Sequence, residues 1–120
     1  MIKKVAFTMY PVKDSARARA FYETTLGLAR GLSAPNGMWT EYDLPGGGCL
    51  ALFATSDIEP SASAGGSVAL EVEDLDALVA RLKAAGVEFK HENIVSPVCR
   101  MAIMLDSEGN SIILHKLNPR

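Results

Sequence analysis

The sequence predicts an α+β fold: two tandem βαβββ modules that form a curved mixed sheet, a cup with its helices outside. Three observations carry this. The helix-capping aspartates Asp14 and Asp74 stand half of the 120-residue chain apart. Gly27 and Gly86, which end the two helices, stand one residue less than that apart. Between the repeats lies the one stretch rich in Ser, Ala, Pro and Gly. The organisation that follows is a single domain over 1–120, with module one over 1–55, a linker over 56–66 and module two over 67–120.

Each element has a local reason. Residues 5–12 read as a strand: Val5, Phe7 and Tyr10 favour extended backbone, and Pro11 halts ladder pairing near its end. Asp14 and Ser15 then offer an N-cap. The helix runs to about Leu26, with Ala18, Phe21, Tyr22 and Leu26 along one stripe. Gly27 stands where a left-handed C-terminal residue is wanted. Strands are expected over 28–32, 38–44 and 49–54, punctuated by the turns Asn36-Gly37 and Pro45-Gly46-Gly47-Gly48. After the linker the order repeats. Residues 67–72 alternate as a strand. Asp74 caps a helix with the stripe Leu75, Leu78, Val79 and Leu82, and Gly86 ends it. Strands over 87–93, 99–105 and 111–117 follow, the last two joined by a turn at 106–110. Such a module buries one sheet face under its helix and leaves the other open. Two of them together make a concave, ligand-sized surface.

Composition narrows the functional classes. With 48% hydrophobic and 22% charged residues, the chain buries a real core and is not disordered. A net charge of −2, with Lys3-Lys4 as the longest basic run, argues against nucleic acid as a partner. No apolar stretch approaches the ~20 residues of a membrane span. The basic start runs into Lys13-Asp14 instead of a signal-peptide core, so no membrane partner is expected. Cys49 and Cys99 are too few for a disulfide framework and form no Cys-x-x-Cys pair. They read as buried, reduced thiols of a cytoplasmic protein.

The stretch from Val12 to Glu23 (VKDSARARAFYE) with Leu26-Gly27-Leu28 resembles the first helix of the vicinal oxygen chelate superfamily. That superfamily includes glyoxalase I, bleomycin-resistance proteins and extradiol dioxygenases. Val72-Glu73-Asp74-Leu75-Asp76 with Ala85-Gly86-Val87 is similar to the helix of its second module, and the stretch from Leu105 to His115 to its closing hairpin. The resemblance spans essentially the whole chain and implies a homodimer. Enzymes of this superfamily hold a divalent metal on His and Glu side chains facing into the cup. Counting back from the caps, the first-strand ligand positions fall on Phe7 (or Thr8, if Pro11 bulges the strand) and Ser67. The closing-strand position falls on Ile113, and the matching strand of module one, from Cys49 to Phe53, has neither His nor Glu. A catalytic metal needs about three converging N/O ligands. The residues therefore point to no metal and no cofactor.

Other residues remain candidates for binding. His115 shares the face of Ile113 and offers a polar group at the cup mouth, or else simply ends its strand. His91, between Lys90 and Glu92, reads as solvated. Trp39 and Glu41 lie on one strand face and Thr40 and Tyr42 on the other. If the Trp39 face looks into the cup, it stacks a planar ligand beside an acidic partner. A register slip of one residue promotes Tyr42 instead. Arg100, in an otherwise apolar strand, either clamps an anionic group or pairs with Glu41 or Glu71. Glu71, on the alternation Ser67, Ala69, Glu71, faces the cup in the same scheme, with the potential of a base. Gly46-Gly47-Gly48 precedes a strand and is a hairpin turn, not a phosphate loop. The ligand-binding candidates are thus Phe7, Trp39, Glu41, Glu71, Arg100 and His115. The expected function is metal-independent binding of a small molecule, aromatic or cationic, of the bleomycin-resistance type. The alternatives are a glyoxalase-like lyase, isomerase or dioxygenase with altered ligands, and an ancillary module with a filled cup.

Overall fold

The computed structural model describes Met1 and residues 3–119. The chain forms two compact units, Met1–Pro60 and Ser61–Arg120, and the division falls inside the Ser/Ala/Pro/Gly-rich stretch. The architecture is α+β, with a three-stranded sheet and a four-stranded sheet.

In the first unit, strand β1 (Thr8–Val12) begins later than expected, and residues 3–7 are exposed. Helix α1 (Ser15–Arg19) is capped by Asp14, whose carboxylate accepts the Arg17 N–H at 3.0 Å. The helix does not continue as an α-helix to Leu26. It widens into a π-helical segment, Ala20–Thr25, whose Leu26 N–H reaches the Phe21 carbonyl at 2.9 Å. The wider turn brings the consecutive rings of Phe21 and Tyr22 both into the core, edge to face at 5.4 Å. It also takes up one residue: five plus six helical residues here match the ten of the second unit's helix. Gly27, at φ 79°, then reverses the chain.

Strands β2 (Trp39–Asp43) and β3 (Cys49–Ala54) complete the sheet in the order β1-β3-β2, with β1 parallel and β2 antiparallel to β3. Thr40, Tyr42, Leu50, Leu52, Tyr10 and Val12 are buried. Tyr42 stacks on Tyr22 at 6.0 Å, and its hydroxyl donates to Glu23 Oε2 at 2.8 Å. Arg30 holds the same carboxylate through Nε at 2.7 Å and Nη2 at 3.0 Å. Arg19 Nε donates to Thr40 Oγ1 at 2.8 Å. The strand expected over 28–32 does not form. That segment has no β-branched residue and contains Gly31, and its pairing with β2 shrinks to a Ser33–Thr40 bridge flanked by two backbone bonds with Glu41.

The second unit has the same connectivity and a full fourth strand. Its elements are β4 (Val68–Glu71), α2 (Leu75–Ala84), β5 (Phe89–Val95), β6 (Cys99–Leu105) and β7 (Ser111–Leu117), with sheet order β4-β7-β6-β5. Asp74 caps α2 by accepting the Ala77 N–H at 3.1 Å. Leu75 and Leu82 of the helix are buried, as are Ala102, Met104, Ile112 and Leu114 of the sheet. Strand β5 sits two residues later than expected, and two register irregularities break its pairing with β6. The turn before β7 is built on Asp106, which accepts the N–H groups of Glu108 and Asn110, both at 2.8 Å. Asn110 Oδ1 in turn accepts the Ser61 N–H at 3.1 Å, anchoring the middle of the linker.

Two outcomes follow for the first unit. Tyr42→Phe deletes a part-buried bond to a carboxylate and is expected to lower stability by about 1 kcal/mol, read as a lower urea midpoint at unchanged slope. The second concerns pH. The Arg30 hydrogen bonds hold the Glu23 carboxyl below its ordinary range. Its contribution is therefore complete above the unfolded carboxylate pKa and lost as pH falls through the lower folded value. Arg30→Met should flatten the acid limb of a stability–pH profile measured by urea unfolding.

Candidate functional site

The helix of the first unit covers the sheet face that carries Thr40 and Tyr42. Strand alternation therefore puts Trp39, Glu41, Met9, Ala51 and Phe53 on the opposite face. This settles the register question in that unit: Tyr42 belongs to the core and Trp39 to the open side. Three aromatic rings meet there. Phe7 stands edge-on to Trp39 at 5.2 Å and 86°, and Phe53 lies 5.7 Å from Trp39 at 56°. Phe7 remains 44% exposed, so the cluster is reachable from solvent. Trp39 Nε1 donates to Glu41 Oε2 at 2.8 Å, which fixes the carboxylate beside the indole. The Cys49 thiol approaches Glu41 Oε1 at 3.8 Å. Burial, and then the charges of Glu41 and Asp43, push that thiol's pKa up, so it stays protonated. An open cavity of about 540 Å³ adjoins Phe53 and Met38.

Phe53 was not among the expected binding residues, although the signal was present. A turn over 44–48 sets Asp43 opposite Cys49, and four residues along each strand Trp39 then faces Phe53.

In the second unit, Glu71 and His115 are register partners of parallel strands β4 and β7. His115 Nδ1 lies 2.5 Å from Glu71 Oε1, and Glu71 Oε2 accepts the Leu117 N–H at 2.9 Å. The Leu117 bond, followed by the His115 bond, holds the Glu71 carboxyl below the usual range. The pair lies on the face away from α2, since the alternate residues Ile112 and Leu114 fill the core. Its neighbours there are Ile113 and Met101.

Arg100 is placed differently. It pairs with Lys116 in the register of β6 and β7, on the helix side, and donates to Asp76 of α2. That partnership lowers the Asp76 pKa and raises that of Arg100. Arg100 thus makes neither of the glutamate pairings expected for it. A β6 side chain on the helix face reaches α2 before anything else. His91 is exposed on edge strand β5.

The expected metal positions carry Phe7 or Thr8, Ser67 and Ile113, and Ala51 stands opposite Glu41. None of the side chains at those positions, nor that of Ala51, is a His, Cys, Asp or Glu. Among the described residues, no three His, Cys, Asp or Glu side chains are grouped as a metal site requires. The residues present do not fit the metal of the metalloenzymes that share this connectivity. Both cysteines are free thiols, and among the described residues no helix is long and apolar enough to cross a membrane.

Comparison with known proteins places this geometry. The chain is similar to the solved structure of TnmS3, an antibiotic binding protein from Streptomyces sp. CB03234. The two are 29% identical with a TM-score of 0.81, covering 98% of each chain. A glyoxalase/dioxygenase from Nostoc punctiforme shares the fold at a TM-score of 0.79 and 21% identity, over 98% of this chain and 92% of that one. The anthracycline biosynthesis protein DauV of Streptomyces sp. (strain C5) is 33% identical over an alignment of 102 residues that covers 80% of this chain. The match is 35% of DauV, so the chain spans about a third of that relative's length. The sequence model of the Glyoxalase/Bleomycin resistance protein/Dioxygenase superfamily matches residues 4–114. With its fold, its repeat and this match in agreement, the chain belongs to the glyoxalase/bleomycin resistance protein/dioxygenase superfamily.

Proposed function

We propose that the protein is a metal-independent small-molecule binder that holds a planar aromatic ligand with a cationic group against the Phe7–Trp39–Phe53 face. The observation that carries this reading is the Trp39–Glu41 bond on that face. A half-buried indole flanked by two edge-on or tilted rings offers a flat stacking surface, and a carboxylate fixed at its rim attracts a positive charge. Likeness to an antibiotic binding protein supports the ligand class, and the misfit of the metal positions supports independence from a metal. In this reading Arg100 belongs to the helix contact, and the protein works as a cytoplasmic homodimer. Light scattering at working concentration is expected to give twice the chain mass, and the mass of a single chain would remove the dimer.

Trp39 is the only tryptophan, so its fluorescence reports on the face directly. An anthracycline bearing an amino sugar is expected to quench it, and calorimetry gives the affinity. Trp39→Leu should weaken binding about tenfold or more, the scale of one lost stacking surface. Glu41→Gln keeps an acceptor for the indole but removes the charge. It should weaken the amino-sugar compound several-fold and leave the uncharged aglycone unchanged. Equal affinities for Trp39→Leu and the parent protein, in a variant with unchanged circular dichroism, would sink the proposal.

A further inference from the structure

We infer that Glu71 and His115 form a proton-accepting site for an acidic hydroxyl, a phenol or an enol, of a small molecule. The inference goes beyond aromatic stacking, because it uses other residues on another sheet. Its basis is the order of hydrogen bonds. The Leu117 N–H occupies Glu71 Oε2 and the His115 ring occupies Oε1, so both carboxylate oxygens are engaged and the group stays ionised. An ionised carboxylate at Nδ1 selects the tautomer with the proton on Nδ1 and leaves the lone pair on Nε2. Among the described residues, Nε2 has no hydrogen-bond partner. The His115 side chain is 27% exposed, so a ligand hydroxyl can reach it.

The groups facing His115 are Glu71 from β4 and Met101 from β6. Lys116, next in β7, adds a positive charge that acts on Glu71 from the other face. The setting is therefore one anion, one imidazole and apolar flanks. The step is a proton transfer. The ligand's O–H bond breaks, its proton bonds to Nε2, and the electron pair stays on oxygen. The product is a phenolate or enolate beside an imidazolium that Glu71 holds and stabilises. His115 touches the ligand in this scheme, and Glu71 acts as its positioning residue.

The test uses the full chain and two dyes, the hydroxylated anthraquinone alizarin and anthraquinone itself. Alizarin absorbs at longer wavelength once ionised, so its spectrum counts the transferred proton. Bound to the wild-type protein, its acid-dissociation constant is expected to rise about tenfold or more. His115→Gln should abolish the rise, Glu71→Gln should reduce it, and Glu71→Asp should restore part of it. All three variants should keep the wild-type circular dichroism spectrum, which separates loss of the site from loss of the fold. Long-range proton–nitrogen NMR of the free protein should show His115 protonated at Nδ1. A His115 protonated mainly at Nε2, or an alizarin shift that survives His115→Gln, overturns the inference. So does a wild-type protein that leaves alizarin un-ionised. In that last case, retained anthraquinone binding leaves the stacking role of Trp39 standing.

Discussion

The hydroxyl of Tyr42 decides what the first unit presents to solvent. A strand has two faces and no intrinsic preference between them. Tyr42 is committed to one by its stack on Tyr22 and its bond to Glu23, and Arg30 closes the arrangement by gripping the same carboxylate. Burying a tyrosine hydroxyl without that acceptor would leave an unmet donor in the core. With β2 held this way, period-two alternation turns Trp39 and Glu41 outward, and the β2–β3 register brings Phe53 beside them. The aromatic face is a consequence of how the opposite face is packed.

The two units share a connectivity and differ in what they do with it. The first lines its uncovered face with rings and one carboxylate. The second places a hydrogen-bonded carboxylate–imidazole pair there, between two strands that never follow one another in sequence. Duplication supplies the same pleated platform twice, and the side chains on each copy are free to diverge, because the core under the helix carries the stability. This separation of roles fits a superfamily in which one fold serves many activities.

Much of the fold was legible because its signals are local. Asp14 and Asp74 cap because a short carboxylate accepts an N–H within its own first turn. The turns announce themselves through Gly, Asn and Pro. The segment 28–32 misled because it has no β-branched residue and contains Gly31, and its pairing with β2 is not completed. The site was legible in part. Phe7, Trp39 and Glu41 stand together, and Glu71 and His115 meet each other, but a spacing of 44 residues gives no hint of a parallel register. Arg100 shows the limit. Its partner Asp76 lies on a helix, and which face of β6 turns to that helix is a property of the whole packed unit.

The π-helical segment explains a small irregularity in the repeat. The capping aspartates and the terminal glycines of the two modules keep different intervals, and the surplus residue lies within the first helix, between Asp14 and Gly27. Most insertions are expelled into loops. This one stayed inside a helix, where it advances Glu23 to the place at which Tyr42 and Arg30 meet it. The halves of this chain are consequently no longer interchangeable. A protein built by repeating the second module would recover the cap, the sheet order and the glycine, and would lose the anchor that aims the first module's tryptophan.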